Sequence, residues 1–488
     1  VSIQVPNTQG THTVEKIGGT SMSRSHELLD TLFLGDREDA SLYNRIFVVS
    51  AYGGITNLLL ENKKTGEPGV YGLFSNAEND HGWSEALSTV ATAMCKAHDA
   101  VLEHPGDRAD AHDFVRDRIE GARGCLIDLQ RLCSYGHFRL SQHMLVIREL
   151  LSGLGEAHSA FVTAQMLRRA GVNARCIDLS GWRDEGIYTL DERIEAGLRD
   201  VDVTCELPIV TGYAQCSEGL MQEFDRGYSE VTFSRLAALT GAAEAIIHKE
   251  FHLSSADPKI VGEKAVRKLG HTNYDVADQL SNMGMEAIHP KAAKILRQSG
   301  IPLRVTNAFE PHDSGTLIDN EPSKEPGVEM VTGLGVYALE LFEQDMVGVK
   351  GYDTKVLDVL ARHKIRIVAK SSNANTITHY LDAPLKAVRR VERDLSEIYP
   401  NATLSARNLA VVSAIGRNLA DQNVLLKGLT ALDEAGIDMI AAQQTTRTVD
   451  VQFVVARDRM TDAIEALHRK LVARARMDAQ KAKPAAAA

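Results

Sequence analysis

Apolar positions along this chain follow two periods. Up to about residue 318, short β-branched runs alternate with segments whose apolar residues recur every three or four positions. RIFVVSA (45–51), ARCIDLS (174–180), LPIVTG (207–212), EAIIHK (244–249) and IPLRVTN (301–307) read as buried strands. Between them, Ala157, Ala160, Phe161, Ala164 and Leu167 share a helical face, with Gly171 placed to stop the helix. The alternation predicts an α/β fold, a mainly parallel sheet with helices on both faces, and places ligands at the carboxyl ends of the strands. Residues 60–150 read as a mostly helical elaboration without sharp chemistry of its own.

The pattern breaks at DNEPSKEPGVEM (319–330), polar with two prolines, which reads as a linker. A repeat follows. VLDVLARHKIRIVAK (356–370) matches GLTALDEAGIDMIAA (428–442), so that Leu360 pairs with Leu432 and Ile365 with Ile437. Each copy continues into a second strand, TITHYLD or VDVQFVVA, and then a helix, PLKAVRRVERDLSEI or MTDAIEALHRKLV. This is a pair of small α+β modules on a split βαβ plan. The expected organisation is a catalytic domain over 1–318, a linker over 319–330, modules over 331–407 and 408–478, and a low-complexity tail over 479–488.

Composition narrows the class. With 54 Lys and Arg against 65 Asp and Glu, the net charge of -11 disfavours a nucleic-acid footprint. The six cysteines are scattered without a CxxC pair, which indicates neither a disulfide framework nor a zinc site and suits a reducing cytoplasm. No run approaches the roughly 20 apolar residues of a membrane span, and no signal pattern opens the chain. A cytoplasmic protein is expected, with no membrane or nucleic-acid partner.

Candidate chemistry begins at VEKIGGTSMSRSHELL (14–29). Lys16 stands two positions before a Gly-Gly-Thr-Ser run, where glycines let the main chain approach a ligand and a helix start aims N–H groups at it. A phosphate fits such a turn. The pattern is not a Walker loop, because the lysine precedes the glycines. A second turn of the same kind closes VVSAYGGITNLLL (48–60). GLGEAHSA (153–160) then places Glu156 at a helix start after glycines, and FDRGYSEVTFSRLA (224–237) places Arg226 at another. Opposite charges at one sheet edge would hold an amino acid by its ammonium and its carboxylate.

With these residues in view, the chain resembles the aspartate kinases of the amino-acid kinase superfamily. The resemblance rests on KIGGTS (16–21), VVSAYGGITN (48–57), GEAHSA (155–160), the block from LPIVTG through DRGYSE, SSADPK (254–259), AIHPK (287–291), RVTNAF (304–309) and two C-terminal regions like ACT domains. It implies transfer of the ATP γ-phosphoryl group, with Mg²⁺, to the β-carboxylate of L-aspartate. By the same resemblance Lys16, Gly18, Gly19 and Ser21 are catalytic, and Ser50, Gly53, Gly54, Lys249, Asp257 and Lys259 bind nucleotide. Glu156 holds the substrate ammonium, Arg226 the α-carboxylate, and Thr56 and Ser229 orient it. No protein ligand to a metal is implied.

Departures from the family pattern fall on the nucleotide side. Tyr228 and Glu230 stand in a stretch that usually reads Gly-Arg-Gly-Gly-Ser-Asp, HKEFH (248–252) replaces a Thr-Asp-Val-Asp-Gly-like stretch, and Glu286 replaces a phosphate-facing lysine. Lys249 would supply the missing charge. These substitutions resemble the divergent subgroup associated with ectoine biosynthesis. The competing readings are an amino-acid sensor with weak catalysis and another acyl kinase of the superfamily; a fused homoserine dehydrogenase is not expected, as little follows residue 478. The ACT-like modules imply a homodimer or larger homo-oligomer. Their effector segments, SSNANTIT (371–378) and AAQQTTRTVD (441–450), lack the usual Ser-Glu pattern, so a weak or unusual response to lysine and threonine is expected.

Overall fold

A computed structural model describes residues 11–63, 65–76, 81–224, 227–285, 288–321 and 326–473. The chain divides into two compact units, residues 1–252 with 288–320, and residues 253–287 with 321–488.

The first unit is built on a mainly parallel sheet. Its strands β1 (Thr13–Ile17), β2 (Arg45–Val49), β3 (Ala174–Ile177), β4 (Leu207–Thr211) and β5 (Glu244–Lys249) lie in the order β3-β4-β2-β1-β5. Leu303–Asn307 continues the parallel array beyond β5, and Thr316–Asp319 adds an antiparallel strand. Every residue of β2 and β4 is buried, as expected of strands covered on both faces. The helix Met144–Arg169 buries all of residues 151–160 and ends where Gly171 turns into the left-handed region at φ +87°.

β1 carries charge into this core. Glu15 is bonded by Arg45 (Nε to Oε1, 2.8 Å) and faces His248 (Nε2 to Oε2, 2.7 Å), whose other ring nitrogen meets the Thr306 hydroxyl. Burial works to raise the Glu15 carboxyl, but Arg45 and His248 prevail and hold it well below the usual carboxylate range. The pair is shielded yet satisfied, and it ties β1 to both of its neighbours.

The second unit carries a six-stranded antiparallel sheet in the order Arg366–Ser372, Thr376–Asp382, Gly327–Phe342, Thr403–Arg417, Asp450–Ala456, Met439–Gln444. The two central strands, 16 and 15 residues long, pair from Thr403 opposite Phe342 to Arg417 opposite Gly327. Each serves both repeats. Leu339 and Leu341 enter one core with Leu360 and Leu381, while Val331, Ala410 and Val412 enter the other with Leu432 and Phe453. The sequence match holds in space: Leu360 and Leu432 are each 1% exposed in their own cores.

Two boundaries look different in three dimensions. Thr403–Arg417 runs unbroken across position 407/408, because one continuous sheet leaves fewer unpaired edges than two separate modules. Gly327–Met330, within the stretch read as a linker, already belong to a strand. Residues 253–287 group with the second unit because Ala256 lies in its core, Ser255 bonds both Val331 N–H and His468, and the Thr272 hydroxyl donates to Glu329.

Candidate active site

The parallel strands β4, β2, β1 and β5 release their carboxyl ends at one edge of the sheet, and Lys16, the two glycine turns and Lys249 lie there. Lys16 lies opposite Val48 and Ile247. The two glycine turns that follow β1 and β2 interlock. A Cβ on Gly19 would stand 2.6 Å from the Ala51 carbonyl oxygen, so only glycine allows this approach. Ser23 joins the turns, its hydroxyl accepting from Gly53 N–H at 2.8 Å and donating to the Gly19 carbonyl at 3.2 Å. Gly54, at φ +89°, caps the helix Ile55–Leu59 that carries half-buried Thr56, and Gly18 has open space where a side chain would be. First-turn N–H groups of a helix lack intrahelical partners; that of Ile55 is taken by the Tyr52 carbonyl.

Charge is concentrated beside the cradle. Lys16 Nζ lies 3.4 Å from Glu230 Oε1, and the Glu230 carboxylate also accepts from His289 N–H. Burial would raise the Glu230 carboxyl, yet the charges of Lys16 and Lys249 keep it below its ordinary value. Lys249 therefore acts on the same group as Lys16. The Ser21 hydroxyl is committed to Glu250 at 2.7 Å, which leaves its main chain for the cradle.

A buried carboxylate lies near Lys16. Glu156 is 2% exposed; its Oε1 accepts from the Ser229 hydroxyl at 2.7 Å, and its buried Oε2 has no hydrogen-bond partner. Burial pushes the carboxyl up to about 8, against the Ser229 bond and the Lys16 charge. A Cβ on Gly212, at the end of β4, would meet Ser229 Cβ at 2.7 Å and Glu156 Oε2 at 2.9 Å. A buried carboxylate with one oxygen unpartnered is costly unless a cationic group neutralises it.

Glu156 does not begin a helix. It lies inside Met144–Arg169, and the preceding glycines serve close packing instead of helix initiation: a Cβ on Gly155 would meet Ala51 Cβ at 2.8 Å and on Gly153 the Tyr213 ring at 3.0 Å. The helix is thereby pressed onto the β2 turn. Ser50 is held by its main chain, N–H to Ile17 and carbonyl to the Ser159 hydroxyl. Tyr228 is 2% exposed with its ring edge-on to Tyr213, so it packs inward. Asp257 and Lys259 belong to the second unit, where the Asp257 carboxylate caps a short helix by accepting from Lys259 N–H at 2.8 Å. Arg226 and Glu286 lie outside the described residues. Sequence reasoning missed Gly212, the glycine that ends LPIVTG, and the Lys16–Glu230–His289 chain, whose members are more than 200 residues apart at the extremes.

Known proteins share this sequence and architecture. The model of the amino acid kinase family matches residues 12–307. The aspartate kinase Ask_Ect of Stutzerimonas stutzeri is 51% identical over 94% of this chain and 97% of its own, and chloroplastic aspartokinase 3 of Arabidopsis thaliana is 24% identical over 93% and 80%. The crystal structure of E. coli aspartokinase III in complex with lysine and aspartate has the same fold, with a TM-score of 0.70 at 19% identity over 94% of this chain and 99% of that one. A lysine and paired glycine turns at strand ends, a buried carboxylate pocket behind them, and this degree of identity to a relative of the same length lead to one conclusion: the chain belongs to the amino acid kinase family and, within it, to the aspartate kinases.

Proposed function

We propose that this chain phosphorylates L-aspartate on its β-carboxylate with ATP, giving 4-phospho-L-aspartate and ADP for ectoine or aspartate-family biosynthesis. The observation that carries the reading is the buried Glu156 carboxylate with an unpartnered oxygen, a counter-charge for the substrate ammonium. Ser229 and Thr56 orient the amino acid, and Arg226 takes its α-carboxylate. The nucleotide lies toward Ser50, Gly53, Gly54 and Lys249.

The chemistry asks for alignment and charge cancellation more than covalent help. A β-carboxylate oxygen forms a bond to the γ-phosphorus as the bond to the ADP oxygen breaks. The acceptor is ionised near neutrality, so no general base takes a proton. Lys16 leaves Glu230 for the equatorial oxygens, and main-chain N–H groups around Gly18, Gly19 and Ser21 meet the developing charge. Mg²⁺ supplies charge neutralisation between the phosphates when bound. Glu230 and Glu250 are already engaged by Lys16 and Ser21, a donor set that suits an ion held chiefly by phosphate and water oxygens.

Assembly and regulation are part of the proposal. The outer strands Arg366–Ser372 and Met439–Gln444 expose much of their length, including Met439 and Ile440, and a homodimer or larger homo-oligomer formed through them pairs these edges. Ser371, Asn373, Thr376 and Arg407 line a polar hollow on the open face of the sheet. Among the described residues that line it, Glu340 alone is a carboxylate for an effector ammonium, which supports a weak response to lysine and threonine. The protein acts in the cytoplasm; its cysteines are free, and no helix among the described residues is long and apolar enough to cross a membrane.

A hydroxamate assay for acyl phosphate with ATP, Mg²⁺ and a panel of amino acids tests the reading. Product with aspartate alone supports it. Product only with glutamate or acetylglutamate, or binding of amino acids without turnover, replaces it with another acyl kinase or a sensor.

A further inference from the structure

The helical elaboration holds a cluster that the kinase chemistry does not use. Cys95, His98 and Asp99 fall on the last turn of the helix His81–Asp99, at spacings that put them on one side, and His112 faces them from Pro105–Ser134. Donor atoms of Cys95, His98 and His112 lie within 4.8 Å of one another. Asp99 Oδ1 is 3.2 Å from His112 Nε2 and 3.8 Å from His98 Nε2. Tetrahedral zinc, with bonds of about 2.0–2.3 Å, sets its ligand atoms about 3.3–3.7 Å apart. The two Asp99 distances are already close to that, and the Cys95, His98 and His112 donors are within a side-chain adjustment of it.

A second observation points to a ligand. His98 is fully buried, and its Nε2, aimed into the cluster, has no hydrogen-bond partner. Its Nδ1 lies 3.0 Å from Nε2 of His158, itself fully buried. A bond donated from His98 Nδ1 to His158 leaves the lone pair of His98 Nε2 free, the arrangement by which outer partners fix a metal-binding imidazole. An empty buried acceptor is costly, and a cation removes the cost.

We propose that Cys95, His98, Asp99 and His112 form a structural zinc site. One thiolate, two imidazoles and one carboxylate complete a tetrahedron of borderline and hard donors, which suits Zn²⁺ and leaves no open position for catalysis. The site would clamp the two long helices together. Through His158, whose ring stands 5.5 Å from that of Tyr52, it would also brace the turn at Gly53 and Gly54. Because the pattern is split between two helices and lacks a CxxC, cysteine spacing alone does not disclose it.

The test uses the untagged full chain, stripped with chelator and titrated with Zn²⁺ against a chromogenic competitor, with metal content read by mass spectrometry. The expected result is one zinc per chain, a thiolate-to-metal absorption band when Co²⁺ is substituted, and a rise in melting temperature on zinc addition. Cys95→Ser and His112→Ala change partly exposed residues, so the chain folds while zinc binding and the thermal shift are lost. His158→Gln weakens zinc binding by about 10- to 100-fold. Absence of stoichiometric zinc, or uptake that survives both Cys95→Ser and His112→Ala, overturns the proposal.

Discussion

The glycine cradle around Lys16 and the carboxylate pocket around Glu156 adjoin at one sheet edge and are built on opposite principles. The cradle is open and made of main chain: Gly18 and Gly54 border free space, and the Lys16 ammonium is parked on Glu230. The pocket is closed and made of side chains, with a carboxylate held against its own solvation and one oxygen unpartnered. A phosphate is multiply charged and recognised by many weak donors, so backbone suffices. An amino acid must be told from its neighbours, and a buried group that only the right ligand can satisfy does this best.

Removing the cradle's cation has the largest effect. Lys16→Ala is expected to lose ~3 to 4 kcal/mol of transition-state stabilisation, about two to three orders of magnitude in kcat. The fold survives, since Lys249 and His289 still face Glu230. A variant with more than half of the wild-type kcat and an unchanged melting temperature takes Lys16 out of the mechanism.

Gly212→Ala attacks the pocket alone. The added methyl falls within 2.9 Å of both Ser229 Cβ and Glu156 Oε2. Overpacking of this kind costs about 1–3 kcal/mol, so the aspartate KM should rise about 10- to 100-fold while the ATP KM stays near its original value. An equal rise in both constants would merge the two regions into one.

Protonation separates them next. In the free enzyme Glu156 titrates near 8, whereas the bound ammonium requires the carboxylate, so aspartate binding expels a proton below that pH. The aspartate KM should fall by up to about tenfold per unit as pH rises from 6 toward 8, then level off. Glu156→Gln should raise the KM and flatten the profile. The sign for stability is the reverse of the usual carboxylate case: a folded pKa above the unfolded one costs stability progressively between about 4.5 and 8. Ligand-free Glu156→Gln should therefore melt higher than the wild type at pH 8, and a lower melting temperature there would contradict the burial argument.

Lys249→Met is the mildest change. Its charge reaches Glu230 across a half-buried site, so a rise of a few-fold in ATP KM, about 1 kcal/mol, is expected with aspartate KM unmoved. No change in steady-state kinetics would reduce Lys249 to a lysine at a strand end.

The two regions were also unequally legible. GGTS and YGGITN announce themselves because glycine pairs after apolar strands have few other uses, and the repeat betrayed both C-terminal cores through Leu360 and Leu432. GLGEAHSA misled in one respect, since its glycines pack a helix against Ala51 and Ile55 instead of starting one. A missing Cβ permits either role, and only the neighbour across the gap distinguishes them.

The alternation of strands and helices, the two glycine turns and the duplicated modules follow from the sequence, because local periodicity and glycine placement act over short stretches of chain. Other features required the tertiary structure. The Gly212 wall, the Lys16–Glu230–His289 chain, the Glu15–Arg45–His248 network, the shared central strands of the second sheet and the Cys95–His98–His112 cluster join residues tens to hundreds of positions apart. Their energies depend on burial and approach distance, quantities that do not exist until the chain has closed on itself.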